Sequence, residues 1–277
     1  MGGIPYYLDA VVKGESPSAA IARMSYSSTG ILRNEYQNLY RSLFDNANLH
    51  EAVVKALAKT QSGLTRVDII KQTKINAGGP FTRCMEDPVI PGFVIENIPF
   101  GKKKQGSIYK LADEYSVFYH KFIVPNKTMH ESDWPKLAAS QAYKIWQGLA
   151  FETLCLKHLP EVKAILGISG VKTTQSSFLH KGDKSNDGFQ IDMVIDRMDQ
   201  VINICECKYY GSEYTISKEY ANKLLHRKTL FIEETKTKKS VFNTLISSSD
   251  ILDNEYKLQA IDRIIYLRDI FKVKPIN

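Results

Sequence analysis

The segment GFQIDMVIDRMDQVINICECKYY, residues 188–210, constrains this chain more than any other. Two β-rich runs flank the polar turn Arg197-Met198-Asp199-Gln200, which is the pattern of a β-hairpin. Side chains on a strand repeat with period two, so Ile202, Ile204, Glu206 and Lys208 share one face. A connection from Arg197 to Val201 then sets Asp192 opposite Glu206, with Lys208 beside them. Two carboxylates so placed can share one divalent cation, and Mg2+ or Mn2+ takes oxygen ligands of this kind. Water bound to such a cation attacks phosphodiesters, and a neighbouring lysine stabilises the charge that develops on the phosphate. The backbone carbonyl of Cys207 offers a further oxygen, while its side chain points away into a core. Alternation also puts Gln190 on the face of Asp192, within reach of the scissile phosphate or the attacking water.

The surrounding sequence alternates helices and strands, as an α/β domain does. Strands are expected at Val171–Phe178, Phe189–Ile195, Val201–Lys208, Val241–Ile246 and Ile264–Leu267, with a strong helix from Lys218 to Glu234 behind the N-cap Ser217. Helical stretches at Leu137–Leu159 and Pro160–Leu166 precede the first strand. Within GLAFETLCLKHL, Glu152 lies on a helix just before the sheet and is a further candidate ligand. A glutamate on an amphipathic helix is otherwise an ordinary solvated residue.

The 277 residues, 43% hydrophobic and 24% charged, describe a globular protein rather than a disordered or fibrous one. No run approaches the roughly 20 apolar residues of a membrane helix, so no membrane partner is expected. The N-terminus lacks the basic and apolar regions of a secretory signal, which makes the cytoplasm the expected address. Cys84, Cys155, Cys205 and Cys207 form no paired C-x-x-C, so neither a zinc ribbon nor a disulfide scaffold is expected. A net charge of +7 permits nucleic-acid binding without demanding it.

Upstream, residues 1–45 carry apolar positions at helical spacing and balanced charge, a small helical segment. Residues 46–116 read as a winged helix: HEAVVKALAKT, then TRVDIIKQT capped by Thr65, then a third helix from Pro80, then two strand-like runs around GKKKQG. Lys102, Lys103 and Lys104 on that turn are candidate phosphate contacts, although a lysine-rich tip is commonly just solvated. Glu86 and Asp87 on the third helix, and Pro88 and Pro91 after it, oppose sequence reading by that helix. The aromatic run ADEYSVFYHKFI connects this module to residues 117–277.

The D-x13-E-x-K arrangement, preceded by a helical glutamate and followed by a Lys- and Tyr-rich helix, resembles the PD-(D/E)XK nuclease superfamily. The whole chain resembles the C-terminal part of the prokaryotic archaeal-type AAA+ ATPases: GGIPYYL and GILRNEYQNL the helical lid, GFVIENIPFGKKKQGSIYKLADEYSVFYHKF the wing and connector, and the last 140 or so residues the nuclease-like domain. The resemblance implies three parts: a lid-like segment (1–45), a winged-helix domain (46–116), and a restriction-endonuclease-like α/β domain with a central mixed sheet (117–277). It implies catalytic roles for Asp192, Glu206, Lys208, Glu152 and Gln190, a Mg2+ or Mn2+ site on Asp192, Glu206, Glu152 and the Cys207 carbonyl, and DNA as a partner. Tyr209 and Lys218 join the wing lysines as nucleic-acid contacts. No G-x-x-x-x-G-K-[ST] occurs, so the chain is expected to lack the ATPase core and to bind no ATP. That core, or another protein, is then an expected partner. The sequence leaves two functions open, a metal-dependent DNA endonuclease and a catalytically inactive module that binds DNA or protein; a transcription regulator is a third.

Overall fold

The computed structural model describes residues 4–43, 47–86, 90–182 and 187–273. Mixed helices and strands build two compact units, Met1–Glu96 with Ser107–Ile145, and Asn97–Gly106 with Trp146–Asn277. The boundaries differ from those read in the sequence, because the aromatic connector after Ala112 packs within the first unit: Tyr115 and Phe122 are buried and the Tyr115 hydroxyl donates to the Leu32 carbonyl at 2.8 Å. No helix among the described residues is long and apolar enough to cross a membrane.

In the first unit Ser16 caps the helix Pro17–Tyr26 by accepting from the Ala19 N–H. Ile31–Leu43 and Ala47–Ala58 follow. Thr65 and Asp68 exchange hydrogen bonds to start Arg66–Thr73, and Gly79–Glu86 completes the set. Strands Leu64–Thr65, Ile108–Leu111 and Val94–Asn97 lie side by side in that order. These elements come in the order the sequence suggests. Asp87 and Pro88 lie outside the described residues, and Pro91 falls within a short helix, Ile90–Phe93.

The second unit carries the residues expected to do chemistry. Helices α1 (Gln141–Lys157) and α2 (Leu159–Ile165) lead into strands β1 (Thr173–His180), β2 (Phe189–Arg197) and β3 (Val201–Lys208). After β4 (Tyr214–Thr215) come α3 (Lys218–Thr235), β5 (Ser240–Ser247), β6 (Ile251–Leu252), α4 (Glu255–Ala260), β7 (Arg263–Tyr266) and α5 (Leu267–Ile270). The main sheet has the order β7-β5-β3-β2-β1. β1, β2 and β3 are antiparallel neighbours, whereas β5 runs parallel to β3 and to β7. The sheet is therefore mixed, and α3 makes the crossover between its two central parallel strands.

The β2–β3 turn sets the register that the sequence predicts, from Asp196↔Ile202 to Met193↔Cys205. Gln200 closes it at φ 66°, a left-handed conformation tolerated in tight turns. Alternation then splits β3 between two cores. Cys205 and Cys207 join Phe151 and Cys155 of α1 and Val162 of α2 on one face. Ile202 and Ile204 join Phe231 of α3 on the other. Between β1 and β2 the register slips: Ser176 pairs with Val194 but Phe178 with Ile191, so β2 carries one extra residue there.

The turn GKKKQG, expected as the wing, belongs with Asn97–Phe100 to this second unit. The Phe100 N–H donates to the Ser177 carbonyl at 2.6 Å, and its ring packs edge-on against Phe231 with centroids 5.2 Å apart. Lys102, Lys103 and Lys104 remain exposed on a backbone that this aromatic anchor holds.

Candidate active site

Strand β3 ends in Glu206-Cys207-Lys208, and the period-two alternation that buries Cys207 turns the two charged side chains toward α3. The Glu206 carboxylate is 16% exposed and receives three different donors. Lys208 Nζ lies 2.9 Å from Oε1. Arg227 Nη1 spans both oxygens, at 3.2 Å from Oε1 and 3.1 Å from Oε2. The Tyr220 hydroxyl donates to Oε1 at 3.4 Å. Tyr220 and Arg227 both stand on α3, two turns of helix apart, so one helix face supplies two of the donors.

Burial alone would push the Lys208 ammonium down, but the Glu206 and Glu152 carboxylates outweigh it and hold the amine above its ordinary value. Lys208 is thus a fixed cation rather than a proton acceptor near neutral pH. The field of Glu152, on α1, also reaches Cys207. Cys207 is a poor nucleophile: a hydrogen bond with Cys155, then burial, raise its thiol well above the usual range.

Asp192 follows Ile191 in β2 and precedes Met193, the residue paired with Cys205; its side chain lies outside the described ones. Gln190 is not brought to Glu206. Its neighbours Phe189 and Ile191 both face α3, so alternation turns Gln190 to the opposite face. The extra residue of β2 between Ile191 and Val194 breaks the parity from which the sequence placed Gln190 beside the carboxylates. Among the described residues no group of three or more His, Cys, Asp and Glu side chains comes together.

The candidate nucleic-acid contacts spread more widely. Tyr209 is 43% exposed at the end of β3 and takes a 3.4 Å hydrogen bond from Gln147 Nε2 of α1. Lys218 is exposed on the first turn of α3, behind the cap that Ser217 makes to the Tyr220 N–H.

Arg227 is the residue that sequence reading missed. Its signal is present: Tyr220, Leu224, Arg227 and Phe231 recur at spacings of four, three and four, the inward stripe of a helix, so an arginine occupies an apolar position. A long cation on such a stripe requires a buried or half-buried anion, and Glu206 is that anion. No family model, curated protein or solved structure matches the chain.

Proposed function

We propose that the second unit is a metal-dependent DNA endonuclease domain of the PD-(D/E)XK type, carried beside a winged helix and a lid-like helical segment of an archaeal-type ATPase. The observation that carries this reading is the pairing of Glu206 with Lys208 at the end of a central strand, with the Glu152 charge also acting on that lysine. Element order supports it, since a helix, an antiparallel three-strand meander, a crossover helix and a parallel strand follow one another.

The available donors suit a hard cation: the oxygens of Glu206, Glu152 and Asp192 and the Cys207 carbonyl would hold Mg2+ or Mn2+ in preference to a soft metal. Such a cation, when bound, supplies an activated water and neutralises charge at the phosphate. Glu206 would bind and orient the cation; its carboxylate keeps some exposure to solvent and takes a hydrogen bond from the Tyr220 hydroxyl. Lys208 keeps its proton at Nζ and presents that charge to a non-bridging phosphate oxygen. Tyr209, Lys218 and the wing lysines are exposed, and cations and aromatic faces of this kind add affinity for a nucleic-acid backbone.

A second reading has its own support. Glu206 is already neutralised by Lys208 and Arg227, as in an ion-pair relic that binds DNA or a protein without cutting. The test is incubation of the purified chain with supercoiled, linear and branched DNA in Mg2+ or Mn2+, beside Asp192→Ala and Lys208→Ala. Cleavage that requires the cation and falls by about a hundredfold or more in both variants is expected. Intact DNA with every variant folded favours the inactive module.

A further inference from the structure

We infer that Arg227 is a resident counter-ion of Glu206, a positioning residue whose hold on the carboxylate a divalent cation must break in order to bind. The inference rests on the metal-dependent reading above and adds what sets the affinity of that site.

The grip of Arg227 is incomplete. A guanidinium holds a carboxylate best through two parallel N–H donors, yet here a single nitrogen, Nη1, reaches both oxygens. Its Nε is buried with no hydrogen-bond partner among the described residues. Such an unsatisfied donor weakens the arrangement it belongs to. Arg227 also has somewhere to go: its guanidinium already lies over the Phe189 ring, 5.5 Å from the centroid. A cavity of about 20 Å³, room for a water molecule, adjoins it between Leu224, Asn243 and Thr244.

Electrostatics selects Arg227 over Lys208 as the group that yields. An arriving dication is repelled by both cations on Glu206. Lys208 Nζ lies 2.9 Å from Glu206 Oε1, whereas Arg227 reaches the carboxylate through one nitrogen at 3.1 and 3.2 Å. Removing the arginine charge therefore makes the carboxylate more available to a metal, at no cost to the oxygen donors themselves.

The experiment titrates Mn2+ into the full chain and follows the loss of the free-ion electron paramagnetic resonance signal. It compares the natural sequence with Arg227→Gln, Arg227→Lys and Glu206→Gln, each checked by circular dichroism. Arg227→Gln should bind Mn2+ about five- to tenfold more tightly; affinity equal to or weaker than that of the natural chain overturns the inference. Arg227→Lys keeps a charge but cannot span both oxygens, and should tighten binding about threefold. That variant decides the matter if the glutamine variant does not fold, and an unchanged or weaker affinity counts against us in the same way. Glu206→Gln should weaken binding by about tenfold or more. Mn2+ held equally well by Glu206→Gln, or by none of the folded chains, instead removes the metal-dependent reading and the inference with it.

Discussion

In the first unit the hydroxyl of Tyr26 donates to the Phe122 carbonyl at 3.3 Å, that of Tyr115 to the Leu32 carbonyl at 2.8 Å, and Tyr40 meets the Ser116 hydroxyl at 2.9 Å. His120 Nε2 meets the Tyr36 hydroxyl at 2.7 Å, and Tyr36 stacks on Tyr119 with centroids 4.2 Å apart. All of these groups are neutral and paired among themselves. In the second unit the polar cluster is charged and half-open, two cations and a tyrosine hydroxyl converging on one carboxylate, with the Arg227 Nε left over. Satisfied, uncharged polar networks specify a fold. On the function proposed above, an over-subscribed carboxylate beside an unsatisfied donor is instead a place where partners exchange.

The sharpest way to break this contrast is Tyr36→Ala, which opens a cavity and removes the partner of His120. A loss of about 3–5 kcal/mol is expected, read by urea unfolding and by hydrogen exchange of first-unit amides. A loss below about 1 kcal/mol would mean that the aromatic cluster is not what holds the unit together.

Next in size is a pH effect. Burial pushes His120 down to about 4, aided by the nearby Lys55 and opposed by Glu51. The unfolded chain takes up a proton near pH 6.5 that the folded one refuses, so stability is full above that value and falls as the pH drops toward 4. The loss reaches about 3 kcal/mol at pH 4. His120→Gln should flatten this part of the profile; parallel profiles for the two proteins would assign the acid sensitivity to other groups.

Smallest is the stability effect of Arg227→Gln in the second unit, under about 1 kcal/mol because Lys208 still neutralises Glu206. A cost of several kcal/mol, as for breaking a closed buried pair, would make the charged cluster as structural as the tyrosine network and erase the contrast.

Much of the second unit is legible in the sequence because its signals are local. The strands expected at Phe189 and Val201 begin there, β3 also ends where expected, and the short turn fixes the β2–β3 register. Glu206 and Lys208 follow from alternation along one strand. Gln190 does not, because a bulge reverses parity and is decided by packing against β1. The long helical stretch expected from Leu137 divides at Ser140, whose hydroxyl accepts from the Tyr143 N–H and starts α1 afresh. Arg227 is a non-local fact: its partner lies 21 residues away on another element, and only its place on an apolar stripe hints that it has one. The sequence presents GKKKQG as a wing tip, since nothing local tells that Phe100 will pack against Phe231.

That last contact has a consequence for dissecting the molecule. The chain leaves the first unit after Glu96, returns to it at Ser107, and leaves again after Ile145. A fragment begun at Trp146 would keep every strand of the main sheet yet lose Phe100, uncovering the flank of Phe231, which also packs edge-on against Phe178 at 4.9 Å. Excision at that boundary, which also cuts through α1, thus produces a sticky, under-filled half rather than a free-standing one, and a soluble excised unit would need the decapeptide Asn97–Gly106 supplied in trans or grafted back.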